Sequence, residues 1–366
     1  YEGTIKSINR LKALLASERL MLNLITEELV SIRDAYGDER RTEIVESAPE
    51  IKVEDLIAEE DMVVTITHTG YIKRNAISLY RSQHRGGKGK VGINVKEEDF
   101  VVDLFIASTH DYILFFTNLG KIHWKKVHEL TQAGRAPRGK AIVNLLNLGS
   151  EEKVTTILPL KDFSRGGFIT FMTKKGTIKK TALEAYSNPR AGGIIAISLD
   201  EEDELISAKL TNGQQHLFIG TKLGKAIHFP ESQIREMGRT ARGIRGIKLS
   251  KGDEVMGMEV VTPHTQILTV ASRGYGKRTK ASEYRIQNRG GTGIFTVKRT
   301  QKTGDVVGIK TVVEEDELML ISNKGKILRL QAADIPIQGR STQGVRLISI
   351  DEGEGVVGIA RLAEKE

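Results

Sequence analysis

Cysteine is absent from the 366 residues, which excludes disulfides and thiolate-ligated zinc and fits a reducing compartment. Aromatic residues make up only 5% of the chain, and proline occupies 7 positions. No apolar run approaches the roughly 20 residues that a membrane-spanning helix needs, and the start carries no secretory signal pattern. No membrane association is expected. A catalytic constellation is also lacking. The eight histidines, at 68, 84, 110, 123, 128, 216, 228 and 264, include no pair at ligand spacing with a carboxylate on a helix. His123 and His128 flank the single tryptophan, Trp124, and read as packing or capping groups. No nucleophile with a base and an orienting acid can be picked out. The expectation is therefore no metal, no cofactor and no catalytic residue on this chain.

What the sequence does have is unevenly spread positive charge. The formal net charge is +8. The first 45 residues carry 7 basic against 8 acidic groups, and residues 46–60 (ESAPEIKVEDLIAEE) carry one against six. Residues 61–366 therefore hold an excess of 14 positive charges. Such a body points to a polyanionic partner, nucleic acid first and an anionic surface second. A basic protein with a merely soluble surface has the same charge, so charge alone does not decide.

Three segments follow from the patterning. In residues 1–36, Ile8, Leu11, Leu15, Glu18, Leu22, Ile25, Leu29, Ile32 and Tyr36 alternate at spacings of 3 and 4. That is the seam of a coiled-coil helix over four heptads, and Gly37 with Asp38 supplies its stop. No second heptad run occurs, so its partner helix is expected in another subunit or ahead of Tyr1; the second is preferred, and on it the chain reads as a fragment. Residues 37–60 read as a linker, acidic in its second half. From residue 61 to 366 one unit recurs six times. Its opening strands are VVTITHTG, ILFFTNLG, FITFMTKKG, LFIGTKLG, ILTVASRG and LMLISNKG. The turn glycines Gly70, Gly120, Gly176, Gly224, Gly274 and Gly325 are followed by Gly89, Gly139, Gly193, Gly243, Gly293 and Gly344. Five of those second glycines lie 19 positions on, and Gly193 lies 17 on.

Each unit holds about four short strands and no helix longer than a turn or two, so the fold class is mainly β. A period near 50 with four strands predicts a radial array of six blades, with a β-solenoid as the alternative. Acidic turns recur at regular intervals, which lets the basic loops gather elsewhere on each unit.

Those loops are QHRGGKGK, GRAPRGK, NPRAGG, GRTARGIRG, NRGGTG and GRSTQG. Glycine lets the backbone approach a ligand and offer its N–H groups, and arginine forks onto phosphate oxygens. The candidate DNA-binding residues are Gln83, His84, Arg85, Gly86, Gly87, Lys88, Gly89 and Lys90 in the first box. The later boxes add Arg135, Arg138, Lys140, Arg190, Arg239, Arg242, Arg245, Arg289 and Arg340. Gly134 to Ala141 nearly spells a phosphate-binding loop, but Ala141 lacks the hydroxyl and no helix is expected after it. Single-strand and RNA-loop readers need aromatic platforms, which the boxes lack. Arginine and glycine without aromatics suit the sugar-phosphate exterior of duplex DNA, and a basic rim would curve that duplex.

The coiled-coil helix, the stretch YGDERRTEI at 36–44, and six blades opened by QHRGGKG together resemble the carboxy-terminal part of the DNA gyrase A subunit family. The family's first box is usually QRRGGKG, and His84 departs from it at the second position. The resemblance implies a six-bladed β-pinwheel whose blades exchange a strand and which wraps duplex DNA around its rim. It implies a role in ATP-dependent negative supercoiling, in an A2B2 holoenzyme whose other members are a second A protein and the gyrase B subunit. ATP and Mg then belong to the holoenzyme, the strand-cleaving tyrosine to the amino-terminal part, and the location is cytoplasmic, at the nucleoid. The helix at 1–36 resembles the returning arm of the exit-gate coiled coil. The A subunit of topoisomerase IV shares this architecture, with an eroded box. A protein-interaction propeller predicts an aromatic, mixed-charge face instead.

Overall fold

The computed structural model describes residues 1–38, 42, 56–76, 101–134, 137, 139–164, 166–262, 264–324 and 326–362. The chain divides into two compact units, Tyr1–Val53 and Glu54–Glu366. In the first unit the expected single helix is two: α1 (Glu2–Ala16) and α2 (Glu18–Tyr36). Ser17 sits between them in an extended conformation, φ −136° and ψ 111°, and its carbonyl accepts from the amide of Met21. Serine competes for backbone hydrogen bonds and favours such caps, so the heptad pattern persists across a broken helix. Neither helix buries a residue. Gly37 ends α2 as expected, its amide bonded to the Arg33 carbonyl at 2.6 Å.

The second unit is built from antiparallel sheets, five of four strands and one of three among the described residues. Each starts from a hairpin, which in the first five sheets closes around a turn glycine. In the fourth, His216–Thr221 pairs with Lys225–Pro230, so that Phe218 faces His228. Val255–Val261 covers one edge of that hairpin and the two-residue strand Ile294–Phe295 covers the other. The short strand comes from the next repeat. The same donation places Lys140–Ala141 on blade 1, Ile194–Ile195 on blade 2, Ile244–Arg245 on blade 3 and Val345–Arg346 on blade 5. Each repeat is thereby stitched to its predecessor. Its position is fixed by one recurring bond, from the third residue after the box glycine to the carbonyl of the previous turn glycine. Ile142, Ala196, Gly246, Thr296 and Leu347 donate in turn to Gly70, Gly120, Gly176, Gly224 and Gly274 at 2.8–2.9 Å.

The hairpin strands are apolar on both faces because each blade is packed between two neighbours. Leu217 and Ile219 enter the core shared with blade 3, whereas Phe218 between them enters the core shared with blade 5. Period-2 alternation thus feeds two interfaces rather than one core and one solvent face. On the far side of every blade a strand lines a central channel of about 620 Å³. Asp103, Ile157, Lys209, Glu259, Lys310 and Arg361 represent the six blades there. Lys209 and Lys310 both reach Glu259, at 2.9 and 3.5 Å. Burial in this channel pushes the Asp103 carboxyl above its ordinary range, against a main-chain hydrogen bond and the nearby Lys310, Arg361 and Lys209. Val356–Leu362 lies beside Val101–Ser108, so blades 6 and 1 meet and the ring closes. On blade 6, Ile321 and Ala360, with Met319 packed against them, form a small apolar cluster apart from the core shared with blade 5.

Candidate nucleic-acid interface

The channel-lining strand and the donated strand occupy opposite edges of each four-stranded sheet, so the boxes that lead into the described donated strands sit at the outer rim. Box 1 (Gln83–Lys90), Arg135 and Arg138 lie outside the described residues. In boxes 3 to 6 the chain closes a tight turn. The amides of Gly193, Ala241, Gly291 and Thr342 bond to the carbonyls of Arg190, Gly238, Asn288 and Gly339 at 2.9, 3.1, 3.4 and 3.2 Å. The box glycine at the end of the turn or two residues beyond it (Gly193, Gly243, Gly293 and Gly344) takes a left-handed backbone. Gly243, at φ +109°, shows why no other residue fits: a Cβ there would lie 2.6 Å from the Ile178 carbonyl oxygen.

These turns form one continuous row. Ser198, Lys248 and Lys298, each five residues past a box glycine, donate their amides into the following box. Their acceptors are the carbonyls of Ala241, Gly291 and Thr342, at 3.3, 2.9 and 3.0 Å. Side chains reinforce the row. Ser198 Oγ donates to the Thr240 carbonyl at 2.7 Å, and Arg289 Nη1 to the Arg245 carbonyl at 2.5 Å. Arg340 Nη1 reaches the Phe295 carbonyl at 3.3 Å. Boxes 3 to 6 are therefore neighbours along a single perimeter. Among the described residues no equivalent amide bond links boxes 2 and 3. The one-turn helix α3 (Ile142–Leu145) lengthens repeat 2 there, and a cavity of about 450 Å³ lies among Trp124, Leu145, Asn147 and Arg190.

The predicted residues divide by what their side chains do. Lys140, Arg190, Arg242 and Arg245 are exposed, whereas Arg239, Arg289 and Arg340 are half-buried. Arg289 binds Gln233 through its amide and Nε, at 2.6 and 3.3 Å, besides its bond to Arg245. It acts as a brace between boxes. Arg242 pairs with Asp200 at 3.0 Å, so the expected separation of acidic turns from basic boxes is incomplete. Asp253, by contrast, points into a hairpin end, accepting from Thr221 Oγ1 and the Leu223 amide, both at 2.8 Å. Sequence reading passed over Lys248, Lys298 and Arg346, all exposed on the same row. Their signal was a repeated offset from the box glycine, five positions for Lys248 and Lys298 and two for Arg346, as for Arg245. Arg346 lies over the Tyr275 ring, 5.8 Å from its centroid, and its hydrogen bond holds the phenol below its ordinary value.

The near phosphate-loop at Gly134–Ala141 is also decided by geometry. A helix does follow it, contrary to expectation, but α3 has four residues and its first amide, Ile142, is bonded to Gly70. His123 packs as foreseen: it is buried, with Nε2 3.3 Å from Glu152 Oε1. No group of three metal-ligating side chains occurs among the described residues, nor a helix long and apolar enough to cross a membrane.

The six-blade ring with donated strands coincides with a known architecture. The family described as "DNA gyrase C-terminal domain, beta-propeller" matches residues 61–108, 111–161, 168–212, 215–262, 265–312 and 316–363, one match per repeat. The chain belongs to that family. Its similarity to the DNA gyrase A subunit of Staphylococcus aureus (strain NCTC 8325 / PS 47) is 45% identity over 368 residues, covering 100% of this chain and 42% of that protein. Strain Mu50 gives 44% with 41% of the protein covered. The chain thus spans about two fifths of the length of these curated relatives. Among solved structures, the DNA gyrase A C-terminal domain aligns at TM-score 0.64 and 29% identity, covering 83% of this chain and 100% of that one. The C-terminal domain of DNA topoisomerase IV aligns at TM-score 0.75 and 27% identity, with coverages of 83% and 94%.

Proposed function

We propose that this domain of the gyrase A family binds duplex DNA along its rim and wraps it, without reading sequence, by contacts to the sugar-phosphate backbone. The observation that carries this reading is the unbroken row of boxes 3 to 6, whose repeated amide bond sets exposed Arg190, Arg242, Arg245, Lys248, Lys298 and Arg346 along one perimeter. Cations on glycine-rich turns neutralise phosphates and release counterions whatever the base sequence. A duplex following a curved row must bend, at about 1–6 kcal/mol for 40–90° over 20–30 bp, and several phosphate contacts offset that.

In this reading box 1, with Arg85, Lys88 and Lys90, is the anchoring clamp. The domain then acts within a gyrase holoenzyme of two A and two B subunits, which uses ATP and Mg elsewhere to introduce negative supercoils in the cytoplasm, at the nucleoid. No catalytic residue is assigned here. Relaxed closed plasmid incubated with the chain and a nicking-closing enzyme tests the wrap: retained writhe appears as a shift in linking number.

The higher TM-score to the topoisomerase IV domain favours a second reading, in which the same rim selects DNA crossings rather than wrapping a long segment. That reading predicts duplex binding with little or no linking-number shift.

A further inference from the structure

The third residue after each turn glycine alternates in kind around the ring. Blades 1, 3 and 5 carry Lys73, Lys179 and Lys277, while blades 2, 4 and 6 carry His123, Ile227 and Leu328. All three lysines are 0% exposed. Each points its ammonium into the box held on the outer edge of the same blade, which belongs to the next repeat. Lys73 Nζ donates to the carbonyls of Gly134 and Pro137, both at 3.1 Å. Lys179 Nζ donates to the carbonyl of Ala196 at 2.7 Å and to that of Arg239. Lys277 Nζ donates to the carbonyls of Gly339 and Arg340 and to Thr342 Oγ1, at 2.6, 2.8 and 3.1 Å.

The loops so held are GRAPRG, GRTARG and GRSTQG, the three in which arginine directly follows the first glycine. The boxes held on blades 2 and 4 are built otherwise. His123 is engaged with Glu152, and Ile227 lies 3.6 Å from where a Cβ on Gly291 would stand. An ammonium with no water around it must be met by oriented acceptors. The loop carbonyls therefore turn inward, and their negative ends leave the face on which a phosphate lands.

We infer that Lys73, Lys179 and Lys277 are positioning residues of the DNA-binding rim, each fixing a glycine-arginine loop from behind so that alternate blades hold the duplex rigidly. The inference rests on the DNA-binding reading above. The surroundings of the lysines give it a second handle. Burial, with Arg239 close by, brings Lys179 down to about 7, and Tyr186 is the phenol beside it, bonded to the same Ala196 carbonyl at 2.9 Å. Burial brings Lys277 down to about 8, with Glu283 opposing and Arg340 adding to the shift. Phosphates drawn to these loops favour the protonated amine, so DNA binding takes up protons above pH 7.

Fluorescence anisotropy with a linear duplex, read from pH 7 to 9 for the parent chain, Lys179→Met and Lys277→Met, tests this. Apolar residues already stand at the equivalent positions of blades 4 and 6, so both variants should keep the fold, as circular dichroism checks. The parent should lose about tenfold in affinity across that range. Each variant should start weaker at pH 7 and show a flatter profile. A flat parent profile overturns the inference even if a variant unfolds, and so do folded variants with the parent's affinity and slope. A parent that fails to bind duplex at any pH removes the DNA reading itself.

Discussion

Arg289 donates from Nη1 to the main-chain carbonyl of Arg245 at 2.5 Å, joining the fifth box to the strand that leaves the fourth. Two arginines that look alike in the repeat thus do different work. Arg289 is held by Gln233 and Arg245, whereas the Arg245 side chain reaches solvent. Arg289→Ala should lower stability by about 1–2 kcal/mol through lost charge-assisted bonds, read as a thermal shift of roughly 2–6 °C. Arg190→Ala and Arg245→Ala should leave the melting temperature unchanged and each reduce the slope of log affinity against log salt by about 0.9. Equal salt slopes for parent and both exposed-arginine variants would remove them from the interface.

Replacing Arg85, Lys88 and Lys90 together with alanine should abolish wrapping while leaving the circular dichroism spectrum intact. The first box concentrates three glycines and these cations within eight positions, so its loss removes the strongest anchor. A mutant that produces the parent's linking-number shift contradicts that assignment.

Gly243→Ala should destabilise the chain by at least about 1–3 kcal/mol. The residue sits at φ +109°, and a methyl group there meets the Ile178 carbonyl oxygen, against which the donated strand packs. Denaturant melts measure the loss. An unchanged midpoint would mean that the exchanged strand is not held as described.

Much of this architecture was legible in the sequence, because two independent glycine spacings repeat and both mark positive-φ turns at fixed points of a blade. The rim followed from the same arithmetic: equivalent offsets in a closed ring land on one perimeter. Three features were hidden. Ser17 interrupts the long helix without disturbing the heptad, since an extended residue removes no apolar position from the seam. A two-residue strand keeps its period whether it joins its own blade or the previous one, so its donation was known only from resemblance. Nothing in the sequence marks Lys73, Lys179 and Lys277 as buried, because only the packed loop carbonyls reveal where their ammonium groups end.

Acid should weaken the last blade. Ser322 Oγ donates to Glu354 at 2.5 Å, and the Asp351 amide and Lys326 add bonds at 3.1 Å, which hold the carboxyl at about 2. An unfolded glutamate titrates near ~4.3. The depressed folded value contributes stability that is present above the unfolded value and is lost as pH falls toward 2. Glu354→Gln should therefore melt earlier than the parent at pH 7, with the difference shrinking between about pH 4.5 and 2. A difference that stays constant with pH would show that the charge contributes nothing.

The most direct measurement is the linking number of relaxed plasmid closed in the presence of increasing amounts of this chain alone. The account predicts a shift of one sign that grows with bound protein and weakens as salt rises. A topoisomer distribution identical to the protein-free control, at protein concentrations that saturate the DNA, would contradict it.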